Sequence, residues 1–218
     1  MKKIPCTLMR GGTSRGAFLL AEHLPEERQR RDAILMAIMG SGNELEIDGI
    51  GGGNPLTSKV AIIRRSDDSK ADIDYLFAQV LVHEHRVDTT PNCGNMLSAV
   101  GAFAIEHGLI ETTPPVTRVR IRNVNTNTYI EADVQTPDGA VEYEGQAKID
   151  GVPGTAAPVA LTFLNAAGAK TGQIFPTGHR VDHFNSVAVT CIDMAMPVVI
   201  IAAEDVGKTG YESPAELD

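Results

Sequence analysis

Residues 91–108 read PNCGNMLSAVGAFAIEHG, and this segment predicts the centre of the fold. From 96 to 105 the side chains are small or apolar, and Glu106 is the first charged residue. A helix that is apolar on every face is buried on every face. Gly108 favours the end of this helix, because glycine readily adopts the left-handed conformation that closes one. We therefore expect a helix over residues 96–107 that other elements surround.

Segments with strand character lie on both sides of this helix. Before it, four short apolar stretches predict strands, at Ile4–Met9, Ala17–Leu20, Lys59–Arg64 and Ile73–Val82. After it, apolar and polar residues alternate, as in an antiparallel sheet with one face in water, at Thr117–Arg122, Tyr129–Val134 and Val141–Ile149. Pro25 and Gly40 bracket a second helix, Glu26–Met39. These patterns predict an α+β fold in which a mostly antiparallel sheet curls around a central buried helix.

Composition excludes several classes of protein. The chain has 218 residues, 43% hydrophobic and 22% charged, as in soluble globular proteins. Its net charge of −9 makes it a poor partner for nucleic acid. The sequence contains no apolar run of about 18 residues, so we expect no membrane span. No apolar run follows the basic N-terminus, so we expect no secretory signal. Three cysteines cannot all pair, and none has zinc-ligand spacing, which favours reduced thiols and a cytoplasmic location.

Cys93 lies at the predicted beginning of the buried helix. The helix dipole and the free N–H groups at that end would stabilise a thiolate or bind an anion. The alternative is a buried structural cysteine, which is how most free cysteines behave. Asn92, Gly94 and Asn95 favour the functional interpretation, because they are polar or expose backbone at the mouth of an otherwise apolar helix.

Lys59 enters a strand whose next four residues are apolar. A lysine in a buried strand needs a partner or a lowered pKa. A lysine with a lowered pKa can remove a proton from carbon next to a carboxylate. The alternative is a strand-end lysine that extends into solvent.

Residues 10–16, RGGTSRG, combine two guanidinium groups, two hydroxyls and three glycines. Arginine pairs bidentately with carboxylates, and glycine lets backbone N–H groups approach a ligand, so this loop is a candidate carboxylate site; a plain connecting loop is the alternative. The second glycine-rich segment, residues 49–54, lacks the third glycine and the following helix of a dinucleotide-binding loop. His83 and His85 share one face of a predicted strand end, but two ligands are too few for a metal site.

Four segments resemble, in order and spacing, the PrpF family, which contains 2-methylaconitate cis–trans isomerase and 4-oxalomesaconate tautomerase. They are Met9–Gly16, Gly51–Val60, Pro91–Asn95 and Asp150–Pro158. The resemblance runs over all 218 residues. It implies a diaminopimelate-epimerase-like fold with two similar halves, each a sheet curled about a helix, and an active site between them. It also implies catalysis without pyridoxal phosphate, metal or nucleotide.

The same resemblance implies roles for individual residues. Lys59 and Cys93 would form the proton-transfer centre. The substrate carboxylates would bind Arg10, Gly11, Gly12, Thr13, Ser14, Ser58, Gly94 and Asn95. Family members are longer, so we expect a first epimerase-like domain over residues 1–184 and the beginning of a second over 185–218. With one wall of the cleft, the 218-residue chain is expected to be inactive by itself.

Two apolar segments near the end of the chain, Val187–Ile192 and Pro197–Ala202, predict strands without partners in the remaining sequence. Exposed apolar edges of that kind seek pairing. We expect a second copy or the remainder of a longer protein to cover them, which leaves a homodimer open.

The function predicted from these residues and the resemblance is isomerisation of a small unsaturated di- or tricarboxylate, such as a methylaconitate or an oxalomesaconate. An allylic proton shift would give either cis–trans isomerisation or tautomerisation. Two alternatives stay open. One is a non-catalytic carboxylate-binding or accessory protein on the same fold, and the other is a cofactor-independent amino-acid epimerase that uses a pair of cysteines.

Overall fold

The structure, a computed structural model, describes residues 3–217. Its contacts divide the chain into two compact units, with the division between Thr162 and Phe163. The domain boundary expected after residue 184 stays a prediction.

The first unit contains most of the secondary structure. Its strands are β1 (Thr7–Gly11), β2 (Ser14–Leu20), β3 (Lys59–Arg65), β4 (Ile73–Val80), β5 (Val87–Asp88), β6 (Val116–Asn123), β7 (Thr128–Gln135) and β8 (Ala160–Phe163). Its helices are α1 (Arg28–Met39) and α2 (Gly94–Glu106), with a short 3-10 helix at Ala21–His23.

The strands form one mixed sheet in the order β1-β2-β3-β4-β6-β7-β8, with β5 beside β4. The β2–β3 and β4–β6 pairs are parallel, whereas β1–β2, β3–β4, β4–β5 and β6–β7 are antiparallel. Helix α2 contacts β1 and also β7, which lie near opposite ends of this order. The sheet therefore curls around α2, and the expected mostly antiparallel α+β architecture is confirmed.

Helix α2 is buried on every side, as its apolar sequence predicts. Its buried residues are Met96, Leu97, Ala99, Val100, Gly101, Ala102, Phe103 and Ala104. The Phe103 ring lies 5.8 Å from the Phe18 ring of β2, centroid to centroid. The helix begins at Gly94, two residues before the expected start, and Gly108 follows its end with a φ of +67°.

Helix α1 covers the other face of the central strands. Leu35 and Met39 pack in one cluster with residues of β2, β3 and β4, namely Ala17, Leu19, Val60, Ile62, Ala78 and Val80. Gly40 closes the helix in the left-handed conformation, as predicted, and its N–H donates to the Met36 carbonyl. Because these strands are covered on both faces, their sequences are mainly continuous apolar runs and do not alternate between apolar and polar residues.

The strand expected at Val141–Ile149 is wrong. This segment makes only an isolated bridge, between Ala147 and Ala156. A side chain at Gly145 would overlap the backbone at Ala157, whose N–H donates to the Tyr143 carbonyl at 2.9 Å. The backbone of this segment thus forms hydrogen bonds with an irregular neighbouring loop. Its apolar residues line a cavity instead of a sheet face.

The second unit holds a three-stranded antiparallel sheet. The two apolar segments that were expected to lack strand partners pair with each other in it, so that expectation is wrong. Its elements are β9 (Asp182–Phe184), β10 (Val187–Met194), β11 (Met196–Ile201), a 3-10 helix (Ala203–Val206) and α3 (Pro214–Leu217). All six residues of β11 are exposed. Over the described part of the chain, no helix has the length and apolar character needed to cross a membrane.

Candidate active site

Lys59 is the first residue of β3, and its side chain lies on the face that α2 covers. The next residue, Val60, packs under α1, and successive side chains of a strand alternate between faces. The Lys59 ammonium donates a hydrogen bond to Gln79 Oε1 at 2.5 Å and lies 5.3 Å from the centroid of the Phe77 ring. Only 9% of Lys59 is exposed. This burial lowers the pKa of Lys59, and the electrostatic influence of nearby Cys93 partly offsets the effect.

Cys93 is the N-cap of α2, which is where the sequence placed it. Its Sγ accepts a hydrogen bond from the Met96 N–H at 3.5 Å, and the side chain is half-buried. A sulfur at this position faces the free N–H groups of the first helical turn. Cys93 is one of three free thiols, together with the exposed Cys6 and the half-buried Cys191.

Tyr75 connects the beginning of α2 to the sheet. Its hydroxyl donates to the Cys93 carbonyl at 3.4 Å. Burial raises the pKa of Tyr75 well above its usual range, and the charge of Cys93 raises it further. In the β3–β4 register, Lys59 pairs with Gln79, Ala61 with Phe77 and Ile63 with Tyr75. Lysine, phenol and thiol therefore gather on one face of the sheet.

The β1–β2 turn lies directly against the beginning of α2. Asn95 Nδ2 donates to Thr13 Oγ1 at 2.9 Å and to Ser14 Oγ at 3.4 Å. A methyl group at Gly11 would overlap the Asn95 carbonyl oxygen, and one at Gly12 would overlap the Asn95 side chain. Only glycine allows this close approach. The structure thus brings together residues that the sequence separates by more than eighty positions.

Arg10 lies opposite Arg15 in the β1–β2 pairing. Opposed residues share a face, and Arg15 is adjacent to Gly16, which pairs with Lys59. The register therefore places Arg15 on the face opposite Lys59. Arg10, in the edge strand β1, lines a cavity together with Ser98 and Ala102 of α2. Arg10 donates to the Gly12 carbonyl at 2.8 Å, and within residues 3–217 neither arginine forms an ion pair. The role of Arg10 in substrate binding stays a prediction.

Ser58 precedes Lys59 and points away from it. Its hydroxyl, fully buried, donates to the Glu46 carboxylate. The Ser58 hydroxyl is therefore engaged within the protein, and the role of Ser58 in substrate binding stays a prediction.

The fourth motif, Asp150–Pro158, forms one wall of a cavity of about 260 Å³ on the flank of α2. Met9, Ser98, Ala102 and Val134 supply further parts of the lining, which is mainly apolar. Lys59 and Cys93 do not line this cavity.

His83 and His85 lie in an exposed loop, because β4 ends at Val80 and not at Val82. In the part of the chain that is described, no three His, Cys, Asp or Glu side chains come together as metal ligands would.

Comparison with known proteins shows the family. The family model described as "PrpF protein" matches residues 1–218. The chain belongs to the PrpF family. It is 81% identical over 218 residues to "Putative isomerase YbhH" of Escherichia coli (strain K12), covering 100% of this chain and 62% of that protein. It is 55% identical over 216 residues to "4-oxalomesaconate tautomerase" of Pseudomonas putida, covering 99% of this chain and 60% of that protein.

Solved structures support the same fold. A crystal structure of methylitaconate-delta-isomerase superposes with a TM-score of 0.86 at 44% identity, covering 98% of this chain and 56% of that one. A probable proline racemase from Agrobacterium radiobacter K84 shares the fold, with a TM-score of 0.51 at 13% identity over 94% of this chain and 54% of that one. The PrpF chain described here thus has the expected epimerase-like fold and spans about 60% of the length of its curated relatives.

Two residues were missed by sequence reasoning. Gln79 accepts the lysine hydrogen bond, and Glu46 holds Ser58. Gln79 is a polar residue that follows the apolar run Leu76–Ala78 in β4, which is a weak signal. Glu46 sits in a loop and gave no periodic signal at all.

Proposed function

We propose that this PrpF chain carries the proton-transfer residues of an isomerase that acts on a small unsaturated di- or tricarboxylate, such as a methylaconitate or an oxalomesaconate. Lys59 would be the base. The observation that carries this proposal is the buried Lys59 amine, whose pKa is lowered, on the same sheet face as the thiol that caps α2. A base for an allylic proton must be available in its neutral form, and burial favours that form because it lowers the pKa of Lys59.

The reaction would proceed in two proton transfers. The neutral Lys59 amine takes a proton from carbon next to a carboxylate or carbonyl, and the electron pair of the C–H bond delocalises into a dienolate. N–H and hydroxyl donors stabilise that charge. The proton then returns to a different carbon, or to the same carbon after rotation, which gives the tautomer or the geometric isomer. Cys93 would be a second acid–base group or would orient the substrate.

The beginning of α2 and the adjoining turn would bind the carboxylates. Gly94 and Asn95 contribute the first helical turn, where free N–H groups attract anions. The Thr13 and Ser14 hydroxyls accept hydrogen bonds from the Asn95 amide. Gly11 and Gly12 have no side chain that would obstruct this close approach. The donors of this region therefore lie beside the proposed proton-transfer pair.

Deuterium exchange tests the proposal. Substrate would be incubated in D₂O with the protein, and ¹H NMR would follow loss of the allylic proton signal. We expect exchange and isomerisation, and we expect Lys59→Met to abolish both. Lys148→Met, which changes an exposed lysine, is the matched control. The 218-residue chain and a chain extended to the length of its relatives would be compared, and we expect activity only in the extended chain.

Other outcomes would favour the alternatives. Tight binding of the acid without exchange by the extended chain would indicate a binding protein. Exchange at the α-carbon of an amino acid, with none in the unsaturated acids, would indicate an epimerase. We also propose a cytoplasmic location, because three free thiols, one of them exposed, fit a reducing compartment.

A further inference from the structure

The Lys59 amine has a dedicated hydrogen-bond partner. Gln79 lies opposite Lys59 in the antiparallel β3–β4 pair, and its Oε1 accepts from Nζ at 2.5 Å. The Gln79 amide cannot be reversed, because its Nε2 donates to the Ser58 carbonyl at 2.9 Å and to the Pro55 carbonyl at 3.2 Å. Carbonyl oxygens only accept, so Oε1 must face the lysine.

The carbonyls that hold Gln79 belong to a loop that is itself held by hydrogen bonds to the Glu46 carboxylate. Glu46 is buried, with 1% of its surface exposed, and both carboxylate oxygens are used. One accepts from the Ser58 hydroxyl, and the other accepts from the Gly53 N–H at 2.9 Å. A methyl group at Gly51 would overlap this carboxylate, so the loop closes tightly around it. Glu46 forms no ion pair within residues 3–217.

These contacts form a continuous chain from Glu46 through Ser58 and Gln79 to Lys59. Ser58 points to the Glu46 side of β3, and Lys59 points to the α2 side. A buried carboxylate on one side of the sheet therefore fixes the peptide that orients an amine on the other side.

We propose that Gln79 is a positioning residue for Lys59 and that Glu46 holds the anchor of Gln79 through Ser58. The inference rests on the proposed function only in taking Lys59 as the base. A neutral amine has two N–H bonds and one lone pair. Because Oε1 accepts one N–H, the lone pair cannot point at Gln79. The same oxygen stabilises the ammonium once the proton has been taken.

Few other charged groups face the amine. From α2, Cys93 acts on Lys59 electrostatically. From β4, Tyr75 lies on the same face, with its hydroxyl on the Cys93 carbonyl. From β5, Asp88 pairs with Gln79, and its carboxylate accepts from the N–H and hydroxyl of Thr90. From β2, Gly16 offers only backbone.

Chemical labelling of Lys59 tests the inference without any need for turnover. Acetic anhydride acetylates only neutral amines, so the extent of Lys59 acetylation against pH, read by peptide mass spectrometry, reports its pKa. Gln79→Met removes the acceptor and should shift the midpoint to lower pH. Gln79→Glu adds a negative charge and should raise it by about one pH unit or more. Altered packing alone would not move the two variants in opposite directions.

Glu46→Gln, compared with the exposed Glu44→Gln as a control, tests the far end of the chain of contacts. In the extended protein we expect Gln79→Met to lower kcat for exchange by up to about 100-fold with little change in KM, since misplacing a reacting group costs on that order. Glu46→Gln should give a smaller loss of kcat, and Glu44→Gln none. Circular dichroism would confirm that each variant is folded.

The two hypotheses fail separately. If the acetylation midpoints of the two Gln79 variants shift in opposite directions but no substrate proton exchanges, the positioning role stands and the isomerase proposal fails. Unchanged midpoints in folded Gln79→Met and Gln79→Glu would overturn the positioning role, whatever the wild-type activity. Equal kcat for Glu46→Gln and Glu44→Gln would overturn the part assigned to Glu46.

Discussion

Lys59 illustrates how one residue acquires its chemistry from its surroundings. Its ammonium lies beside an aromatic ring and a single amide oxygen, where water would offer many more partners. Desolvation disfavours the charged form, whereas the electrostatic influence of Cys93 favours it. The pKa is lowered because desolvation is the larger effect. The balance between these two causes can be measured by removing the thiol.

We expect Cys93→Ser to lower the pKa of Lys59 further, because the negative charge that supports the ammonium is lost while the burial remains. The midpoint of Lys59 acetylation should therefore move to lower pH. Cys6→Ser, at an exposed thiol outside the site, is the control and should leave the midpoint unchanged. A midpoint unaffected by Cys93→Ser would mean that the thiolate does not act on the lysine.

Helix α2 is the element on which both the core and the site depend. Its first turn holds Cys93 and Asn95, and its middle is packed against strands of the curled sheet. At Gly101 a methyl group would lie 2.8 Å from Val134 Cγ2 of β7. Glycine is a poor helix former, so its presence at this position is explained by close packing against β7 and not by helix propensity.

We expect Gly101→Ala to reduce the free energy of unfolding by about 1 kcal/mol, because overpacking outweighs the gain in helix propensity. In a Val134→Ala background the same change should become stabilising by up to about 1 kcal/mol, since the obstructing methyl is gone. Urea unfolding of the wild type, the two single variants and the double variant measures the coupling free energy between residues 101 and 134. An equal effect of Gly101→Ala in both backgrounds would contradict the assigned contact.

At the scale of the whole molecule, the chain divides into a large unit with both long helices and a smaller one with three strands. The contacts around Lys59, Cys93 and Asn95 all lie within the first unit. In the second unit, the six residues of β11 are exposed and five of them are apolar, which is a surface of the kind that a partner covers. What covers it stays a prediction.

We expect a shortened chain ending at Phe163, which retains β8, to unfold cooperatively and to keep the Lys59 acetylation midpoint of the 218-residue chain. The reason is that the sheet, the two long helices and the site contacts are complete within it. The remaining segment, about a quarter of the chain, buries only Val189 and Asp193 among its described residues and so has little core of its own. Loss of the cooperative transition in the shortened chain would show that the first unit depends on the second.

Much of the architecture could be predicted from local patterns. The unbroken apolar run of α2, the glycines that close α1 and α2, and the β6 and β7 alternation each encode burial within a few residues. The segment Val141–Ile149 shows the limit. Its alternation suits a strand, yet its hydrogen bonds go to an irregular loop that is close only in the folded chain.

The sequence by itself determined which residues were candidates for chemistry, because a thiol at a helix start and a lysine entering an apolar strand are unusual in any context. Only the tertiary structure decided how they work together. The strand register that sets Gln79 opposite Lys59, and the loop that buries Glu46 against Ser58, depend on pairings between distant segments. Side-chain patterns report which face a residue prefers, but register is settled by the packing of the whole sheet around α2.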